Sequence, residues 1–314
     1  MAKYTFLLPA FKASYLNGML ESLKNQIFKD FKVIISDDCS PEDIYSICKP
    51  YLEDQRFIYR RNEKNIGGRD LVIHWNLLLN LCDTDYCVMA SDDDIYDEHF
   101  LEEIDKLTQK YPNVDLLRSR VLLIDGEDAL LAEENTYKEY VNYLDFLNQC
   151  YNNNNFKCIA NYVFKTTALK DNGGFVFFPF AWPSDTATAM LMARNGCANT
   201  YTCLLKFRHS GINISNSKNG RKSSLMKIKG MLEFDTWFNK LIENIMVTNS
   251  YEKYTLNRII RIHKSDVALV VTYDIVDCGF FSFFCCMRQM KKQKLEISNT
   301  VLYYIKKKWY RITH

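Results

Sequence analysis

The sequence lacks any apolar run long enough to cross a bilayer, and its first apolar stretch is too short for a signal peptide and is broken by Pro9. It also lacks internal repeats and low-complexity tracts. Its eleven cysteines form no Cys-x-x-Cys pair, and several lie in apolar stretches, namely Cys87, Cys158, Cys285 and Cys286. These absences argue against a bilayer-spanning chain and a disulfide scaffold. We expect buried, unbridged thiols in a reducing, cytoplasmic compartment.

The chain has 314 residues, of which 47% are hydrophobic, and this is enough to bury a large core. We expect one domain over residues 1–215 and a helical region over residues 216–314. The formal net charge of +2 hides a division, because residues 1–200 contain 20 Lys/Arg and 30 Asp/Glu (−10), whereas residues 201–314 contain 20 and 8 (+12). No nucleic-acid recognition motif accompanies the basic part, so we expect no nucleic-acid partner.

Three consecutive carboxylates, Asp92, Asp93 and Asp94, follow the apolar run Tyr86–Ala90, which predicts a buried strand. Like charges at close range disfavour joint ionisation. A hard divalent cation, Mn²⁺ or Mg²⁺, would remove that cost, since both ions take carboxylate oxygens and complete their shells with water and phosphates. The alternative is a solvated acidic loop that caps a helix over Asp97–Lys110.

Strands alternate with helical patterns along the first hundred residues, which predicts a mostly parallel sheet with right-handed crossovers. In such sheets ligands bind beyond the carboxyl ends of the strands. Asp37 and Asp38 end one of these strands, so two acid clusters are expected at one edge. The predicted strands are Tyr4–Leu8 (stopped by Pro9), Lys32–Ser36, Phe57–Arg60 and Tyr86–Ala90. Three helices are predicted between these strands. The first buries Leu16, Met19, Leu20 and Leu23, and the second begins at an N-cap Ser40. The third carries Leu71, Trp75, Leu78 and Leu79.

Four segments, in this order, resemble the motifs of the family-two glycosyltransferases: Leu7–Phe11, Ile34–Ser40, Asn65–Gly67 and Ser91–Tyr96. Members of that family are inverting enzymes of the GT-A fold that use nucleotide sugars. The resemblance implies an α/β, GT-A (Rossmann-like) fold, with a mostly parallel mixed sheet flanked by helices and a helical C-terminal appendage.

The resemblance also implies which residues hold the nucleotide. The strand end at Pro9, together with Asp37 and Asp38, would contact the nucleoside base and ribose. Asn65 and Gly67 belong to the third motif and are assigned to the same nucleotide site.

The resemblance further places a metal site at the acid cluster. Asp92 and Asp94 would form the Asp-x-Asp pair, with Asp94 as the direct metal ligand and Asp92 and Asp93 also facing the nucleotide. The family usually has Asp-x-Asp-Asp at this place, and Ser91 stands where the first of those acids would fall. Which of the three touches the metal and which the ribose therefore stays open. His209 could complete the metal shell, or it could be structural.

Inverting transfer needs a base, and the resemblance points to Asp185, just before an apolar helical run at Thr186–Ala193. The family has a Glu-Asp pair there, and Ser184 replaces the glutamate. The alternative is that Asp185 is only an N-cap. Trp182 would suit an acceptor sugar ring, and Arg208 could contact the pyrophosphate.

Near the C-terminus, the aromatic run Phe280–Met287 precedes eight basic residues in Arg288–His314, where Glu296 is the one acid. Aromatic residues beside a basic helix are typical of an interfacial membrane anchor, whereas a core helix with a solvated tail is the alternative.

The sequence thus predicts a metal-dependent inverting glycosyltransferase that moves a sugar from a nucleoside-diphosphate sugar, chiefly UDP, to a glycan or lipid-linked acceptor in polysaccharide biosynthesis. It would work in the cytoplasm, at the inner face of the membrane. A sugar-phosphate nucleotidyltransferase is an alternative, but it needs a glycine-rich basic loop where this chain has Pro9–Lys12. The second alternative is a non-catalytic protein that binds a nucleotide sugar or a membrane.

Overall fold

The computed structural model describes residues 2–68, 70–151, 155–209, 220–275 and 278–313. The chain divides into two compact units, the first over Met1–Val176 and Thr188–Ser215 and the second over Phe177–Ala187 and Asn216–His314. We expected a single boundary after residue 215. The two units depart from it at one segment, because Phe177–Ala187 groups with the C-terminal helices.

The first unit is built on a mixed sheet of ten strands formed by the described residues. The strands are β1 (Tyr4–Ala10), β2 (Phe31–Asp37), β3 (Phe57–Arg61), β4 (Tyr86–Met89), β5 (Ile95–Tyr96), β6 (Leu116–Ile124), β7 (Leu130–Glu133), β8 (Tyr140–Val141), β9 (Tyr162–Lys165) and β10 (Cys197–Arg208).

The strand order is β3-β2-β1-β4-β9-β6-β10-β5, with β7 beside β6 and β8 beside β10. The pairs β3–β2, β2–β1, β1–β4 and β6–β10 are parallel and contain most of the paired residues. Strand β9 runs antiparallel to β4 and β6, and β5 runs antiparallel to β10. The predicted mostly parallel mixed sheet is confirmed, and the carboxyl ends of β1, β2 and β4 lie together at one edge.

We predicted that strand β1 stops at Pro9, and this prediction is wrong. The strand continues to Ala10, with Pro9 opposite Ser36 of β2. Residues alternate between the two neighbouring strands, and the carbonyl of Leu7 accepts the N–H of Ala90 on the β4 side. The missing N–H of Pro9 would point to that same side, where the ladder with β4 has already ended at Leu7. The proline therefore removes no sheet hydrogen bond.

The helices of the first unit are α1 (Leu16–Lys24), α2 (Ile44–Cys48), α3 (Leu71–Asn80), α4 (Phe100–Lys110), α5 (Tyr143–Gln149), α6 (Thr166–Asp171) and the greater part of α7 (Ser184–Met192). Helix α1 buries the four residues that the periodicity predicted. One face of β1 packs in the same core cluster as α1, α2 and α4, and the ring of Phe6 there contacts those of Tyr96 and Phe100, with centroids 5.1 and 6.1 Å away.

Two helices begin later than the sequence predicts. Ser40 is not an N-cap, because its hydroxyl donates to the carbonyl of Phe11 and accepts the N–H of Glu42, and α2 is capped instead by Asp43. Helix α4 begins at Phe100 rather than at Asp97, since the N–H of Asp97 donates to Leu204 and extends the β5 edge.

The expected buried thiols are found at Cys87, Cys158 and Cys286, none of which forms a disulfide. Cys285 is also unbridged but is exposed, so the prediction that it lies in the core is wrong. The cause is helical geometry, because the side chains of Cys285 and Cys286 point about 100° apart around a helix axis.

The second unit contains α8 (Gly220–Ile242), α9 (Ser250–Asp274), α10 (Phe280–Lys292) and α11 (Ser298–Thr313), together with the segment 177–187. Helix α10 buries Phe283, Cys286 and Met290, and the ring of Phe283 stacks on Tyr304 of α11 at 4.1 Å. Of the helices in the described part of the chain, none combines the length and the hydropathy that a membrane span requires.

Candidate active site

The carboxyl ends of β1, β2 and β4 carry two acid clusters that meet at the loop after β1. Oδ2 of Asp92 accepts the backbone N–H groups of Phe11 and Lys12 at 2.9 and 2.8 Å. From the other side, the Ser40 hydroxyl donates to the carbonyl of Phe11 at 2.6 Å, and the N–H of Ser40 donates to Oδ1 of Asp37 at 2.9 Å. The peptide groups of Phe11 thus join both clusters, which the structure places at one edge as expected.

The ammonium group of Lys12 pairs with two acids of the cluster that follows β4. Its Nζ lies 3.0 Å from Oδ2 of Asp93 and 3.7 Å from Oδ1 of Asp92. Burial alone would lower the pKa of Lys12, but the charges of these two carboxylates outweigh burial and raise that pKa. The sequence reasoning missed this residue, although three adjacent buried carboxylates are themselves a signal that a cation is needed nearby.

Asp94 is anchored by the end of β10. Its Oδ1 accepts the backbone N–H of Arg208 at 3.0 Å, and Nε–H of Arg208 donates to the carbonyl of Asp93 at 2.9 Å. The same guanidinium donates to the carbonyl of Asp125 and pairs with Asp128 at 2.5 Å. Arg208 is only 3% exposed, so in this structure it joins β10 to the acid cluster, and its contact with pyrophosphate stays a prediction.

The surroundings of Asp94 disfavour the ionised form of its carboxyl group. Burial, together with the negative charge of Asp93, raises the pKa of Asp94 well above its ordinary value. Burial also raises the pKa of Asp92, against the opposing charge of Lys12 and the backbone donors of the β1 loop. Burial therefore disfavours the ionised form of both Asp92 and Asp94.

The donor set fits a hard divalent cation that is completed by phosphates and water. Asp94 is fully buried, and among the described residues its Oδ2 has no hydrogen-bond partner, whereas Oδ2 of Asp92 already accepts two N–H groups. Mg²⁺ and similar ions need only one or two protein carboxylates when substrate phosphates supply the other ligands. Over the described ranges no three His, Cys, Asp or Glu side chains converge as metal ligands, and the metal contacts of Asp92 and His209 stay predictions.

Asp38 organises the turn that follows β3. Its Oδ1 accepts from the side chain of Asn62 and the N–H of Ile66, and its Oδ2 accepts the N–H of Gly67 at 2.7 Å. A Cβ at Gly67 would lie 3.0 Å from that same oxygen, so the turn favours glycine for lack of space. Asn65 closes the turn by accepting the N–H of Gly68. Three of the predicted nucleotide residues, Asp38, Asn65 and Gly67, are thus brought together.

The side chain of Asp37 is buried beneath the candidate site. It is fully buried, its Oδ2 accepts from the hydroxyl of Tyr59 at 2.7 Å, and it pairs with Arg61. These contacts hold β2 to β3 beneath the site. Pro9, by contrast, is partly exposed at the carboxyl end of β1.

His74 is a second residue that sequence reasoning missed. It lies on the inner face of α3, where Nε2 is 3.0 Å from the Ser36 hydroxyl and Nδ1 is 3.7 Å from Oδ2 of Asp38. Burial lowers the pKa of His74, although the charge of Asp38 opposes this shift. The available signal was its spacing, because position 74 falls on the same helical face as Trp75 and Leu78.

Asp185 and Trp182 belong to the second unit. Helix α7 begins at Ser184, so Asp185 lies inside the first turn and is not the N-cap residue of the alternative interpretation. Its Oδ1 accepts the N–H of Thr186 at 2.6 Å, and the side chain is partly buried. Trp182 is partly buried as well.

His209 follows β10 and is exposed. Its backbone N–H donates to the carbonyl of Ile124 at 2.7 Å, which continues the pairing of β10 with β6 by one residue. The predicted contact of its ring with a metal is not tested by this geometry.

Comparison with known sequences identifies the family. The family model for glycosyl transferase family 2 matches residues 5–173, more than half of the chain. The chain belongs to this family. The matched region contains the two acid clusters and the turn after β3, and it ends before Trp182, Asp185 and Arg208.

Two curated relatives align over part of the chain. The uncharacterized glycosyltransferase MJ1057 of Methanocaldococcus jannaschii is 32% identical over 121 residues, which are 38% of this chain and 41% of that protein. The poly(ribitol-phosphate) beta-N-acetylglucosaminyltransferase TarS of Staphylococcus aureus is 24% identical over 184 residues, which are 57% of this chain and 30% of TarS. The matches span less than half the length of either relative.

Solved structures share the fold. Residues 1–349 of S. aureus TarS, in complex with UDP-GlcNAc, give a TM-score of 0.67 at 17% identity, covering 88% of this chain and 80% of that one. The mannosyltransferase PcManGT from Pyrobaculum calidifontis, in complex with GDP-Man and Mn²⁺, gives 0.56 at 12% identity, covering 98% and 87%. At these identities the likeness establishes the fold alone, which is the predicted GT-A fold.

The role of Lys12 gives a first prediction. Lys12→Met should lower the free energy of unfolding by about 1–3 kcal/mol at pH 8, because Asp92 and Asp93 lose their cation while staying buried. The loss should shrink toward pH 5, since a carboxyl whose folded-state pKa is raised destabilises the fold only above its unfolded-state pKa. Urea unfolding at both pH values measures this, with exposed Lys49→Met as the matched control. A loss equal for both variants would contradict it.

Proposed function

We propose that the protein transfers a sugar from a UDP-sugar to a glycan or lipid-linked acceptor, with inversion at the anomeric carbon and with a divalent cation. The observation that carries the proposal is the buried carboxylate of Asp94, whose Oδ2 has no partner among the described residues, at the same sheet edge as Asp38. Two neighbours in fold support a nucleotide-sugar donor, since TarS was solved with UDP-GlcNAc and PcManGT with GDP-Man and Mn²⁺.

The name of one relative supports the class of acceptor. TarS is named a poly(ribitol-phosphate) beta-N-acetylglucosaminyltransferase, so the acceptor in its name is a polymer. We extend that class, a polysaccharide or its lipid-linked precursor, to the present chain as a proposal.

The nucleoside would bind at the ends of β1 and β2. Pro9 would line the base, and the turn that Asp38 organises through Asn65 and Gly67 would border it. Asp37 would act by fixing β2 and β3, because its own oxygens are buried and already bonded. Asp92 and Asp93, held by the β1 loop, would face the ribose and the phosphates.

Asp94 would be the principal ligand of Mn²⁺ or Mg²⁺, with Asp92 or His209 as the further candidates. The cation, when bound, supplies neutralisation of the charge that develops on the departing diphosphate. Arg208 would keep Asp94 in place through its backbone N–H, and would add positive charge near the phosphates.

Asp185 would be the base. The acceptor hydroxyl attacks the anomeric carbon, its proton passes to the Asp185 carboxylate, and the bond from that carbon to the phosphate oxygen breaks, so the nucleoside diphosphate leaves with the bonding electrons. A single displacement of this kind inverts the anomeric configuration. Trp182 would offer an aromatic face to the acceptor sugar.

A hydrolysis screen tests the proposal without knowledge of the acceptor. Purified protein with Mn²⁺ is incubated with a panel of nucleotide sugars, and released nucleoside diphosphate is measured. Release from a UDP-sugar is the expected result. Tight binding without release would indicate a non-catalytic binding protein, and formation of a nucleotide sugar from a sugar phosphate and a nucleoside triphosphate would indicate a nucleotidyltransferase.

The metal ligand gives a second prediction. Asp94→Asn should weaken UDP binding in Mn²⁺ and change it little in EDTA, because the amide cannot replace an anionic ligand. Titration calorimetry in both buffers measures this, and exposed Glu98→Gln, also near the cluster in sequence, is the control. Equal UDP affinity of the wild type with and without Mn²⁺ would remove the metal from the proposal.

The base gives a third prediction. Asp185→Asn keeps the size of the side chain but removes its basicity, so UDP release from the donor should fall by about 10²–10⁴-fold. Donor affinity should stay nearly unchanged. Exposed Asp171→Asn is the matched control. Activity within a few fold of wild type would mean that the base lies elsewhere.

We propose, in addition, that α10 contacts an anionic membrane from the cytoplasmic side. Phe280, Phe281 and Phe284 are 70%, 79% and 54% exposed, although Phe283 between them is buried. Arg288 and Lys291 follow at helical spacing on the exposed side of the same helix. Exposed aromatic residues beside basic ones are the composition that interfacial binding requires.

The membrane contact gives a fourth prediction. Replacing Phe280, Phe281 and Phe284 together by Ser should abolish flotation with phosphatidylglycerol vesicles, because the aromatic contacts are lost and salt screens the remaining charge at physiological ionic strength. The control replaces two exposed tyrosines of α9, Tyr251 and Tyr254, by Ser. Equal flotation of the wild type with neutral phosphatidylcholine vesicles, or no loss in the triple variant, would end the idea.

A further inference from the structure

One face of helix α8 packs against the segment that precedes Asp185. Lys227, Gly230, Phe234 and Trp237 follow one another at spacings of three, four and three residues, which places them along one side of the helix. Each of them contacts the short stretch Phe178–Trp182, which belongs to the same unit.

Gly230 is the point of closest approach. A Cβ at this position would lie 2.3 Å from the carbonyl oxygen of Trp182 and 3.0 Å from that of Pro179. Both are backbone atoms, so neither can move aside by a change of rotamer. The glycine is required by this contact alone, because its own backbone is helical.

Phe178 anchors the start of the stretch. Its side chain is 3% exposed and packs edge-on against the rings of Phe234 and Trp237, with centroids 5.8 and 6.1 Å away. Its backbone N–H donates to the hydroxyl of Ser184 at 3.0 Å. Because Ser184 begins α7, this hydrogen bond connects the anchored stretch directly to the turn that carries Asp185.

The backbone between these anchors is held in a conformation that costs free energy. Phe180 and Ala181 have φ of 65° and 54°, in the left-handed region that side chains disfavour. The ring of Phe180 lies beside Nζ of Lys227, which is 5.6 Å from its centroid and 5.5 Å from that of Trp182. Such a conformation persists only where its surroundings impose it, and α8 is part of those surroundings through Lys227 and Gly230.

We propose that α8 is a positioning element for the reaction, in which Gly230, Phe234 and Trp237 set the place of Trp182 and Asp185. Helix α8 is then part of the catalytic apparatus and not an appendage. The proposal rests on the proposed function of Asp185 as the base. It predicts that a disturbance on α8 slows the chemical step and leaves donor binding intact, because the proposed donor residues belong to the first unit.

Gly230→Ala in the full chain tests this, with UDP-GlcNAc and Mn²⁺ and with water as acceptor. The added methyl group must displace the backbone of the 178–182 stretch, so kcat should fall by about 10²-fold, the usual effect of a 1 Å misplacement, while KM stays within twofold. The control is Gly18→Ala, because Gly18 is also helical and its added Cβ meets nothing within 4 Å. A folded Gly230→Ala variant with kcat within threefold of wild type overturns the proposal.

A double-mutant cycle separates this proposal from the assignment of the base. If α8 acts through Asp185, Gly230→Ala should lower kcat little further in an Asp185→Asn background, whereas additive losses overturn the positioning role. Wild-type activity of Asp185→Asn would overturn the proposed base, and with it the route by which α8 acts.

If Gly230→Ala does not fold, Trp237→Phe tests the positioning role of α8 instead. It trims the aromatic contact with Phe178 without adding atoms, and kcat should fall several-fold with KM unchanged. An unchanged kcat for this variant then overturns the proposal.

Discussion

One carboxylate oxygen, Oδ2 of Asp92, accepts two successive backbone N–H groups and thereby sets the distance between the ends of β1 and β4. The conformation of the β1 loop follows from it, and so does the place of Lys12. Asp92 and Asp93 are occupied by this lysine and by the loop, whereas Oδ2 of Asp94 has no hydrogen-bond partner among the described residues. Three buried carboxylates thus lie beside the ammonium group of Lys12, and burial raises the pKa of Asp92 and of Asp94.

Strands β1 to β4 and their parallel arrangement could be predicted because their signals are local. Apolar runs gave the strands, and the periodicity of Leu16, Met19, Leu20 and Leu23 gave the buried face of α1. The errors came from residues whose conformation depends on distant partners. Ser40 bonds to Phe11 rather than capping a helix, and Pro9 stays within a strand because β4 has ended beside it. No pattern within ten residues of either position contains that information.

The candidate site could be predicted to a similar extent and for a similar reason. The acids were visible because they directly follow strands, and parallel topology brings strand ends together. The different contacts of Asp92, Asp93 and Asp94 were not visible, since they depend on Lys12 and on Arg208, which is 114 positions from Asp94. The strained stretch before Asp185 was equally hidden, because Gly230, which leaves room for it, lies in a helix that shows no unusual pattern of its own.

The position of β10 has a consequence for how the protein is made. It is the last strand of the described residues, yet it pairs on one side with β6 and on the other with β5, both of which leave the ribosome much earlier. Until residue 208 has been synthesised, this side of β6 is an unpaired edge, and such edges invite association with other chains. The nascent sheet must therefore wait for its final strand, and contacts of such long sequence separation make folding slow.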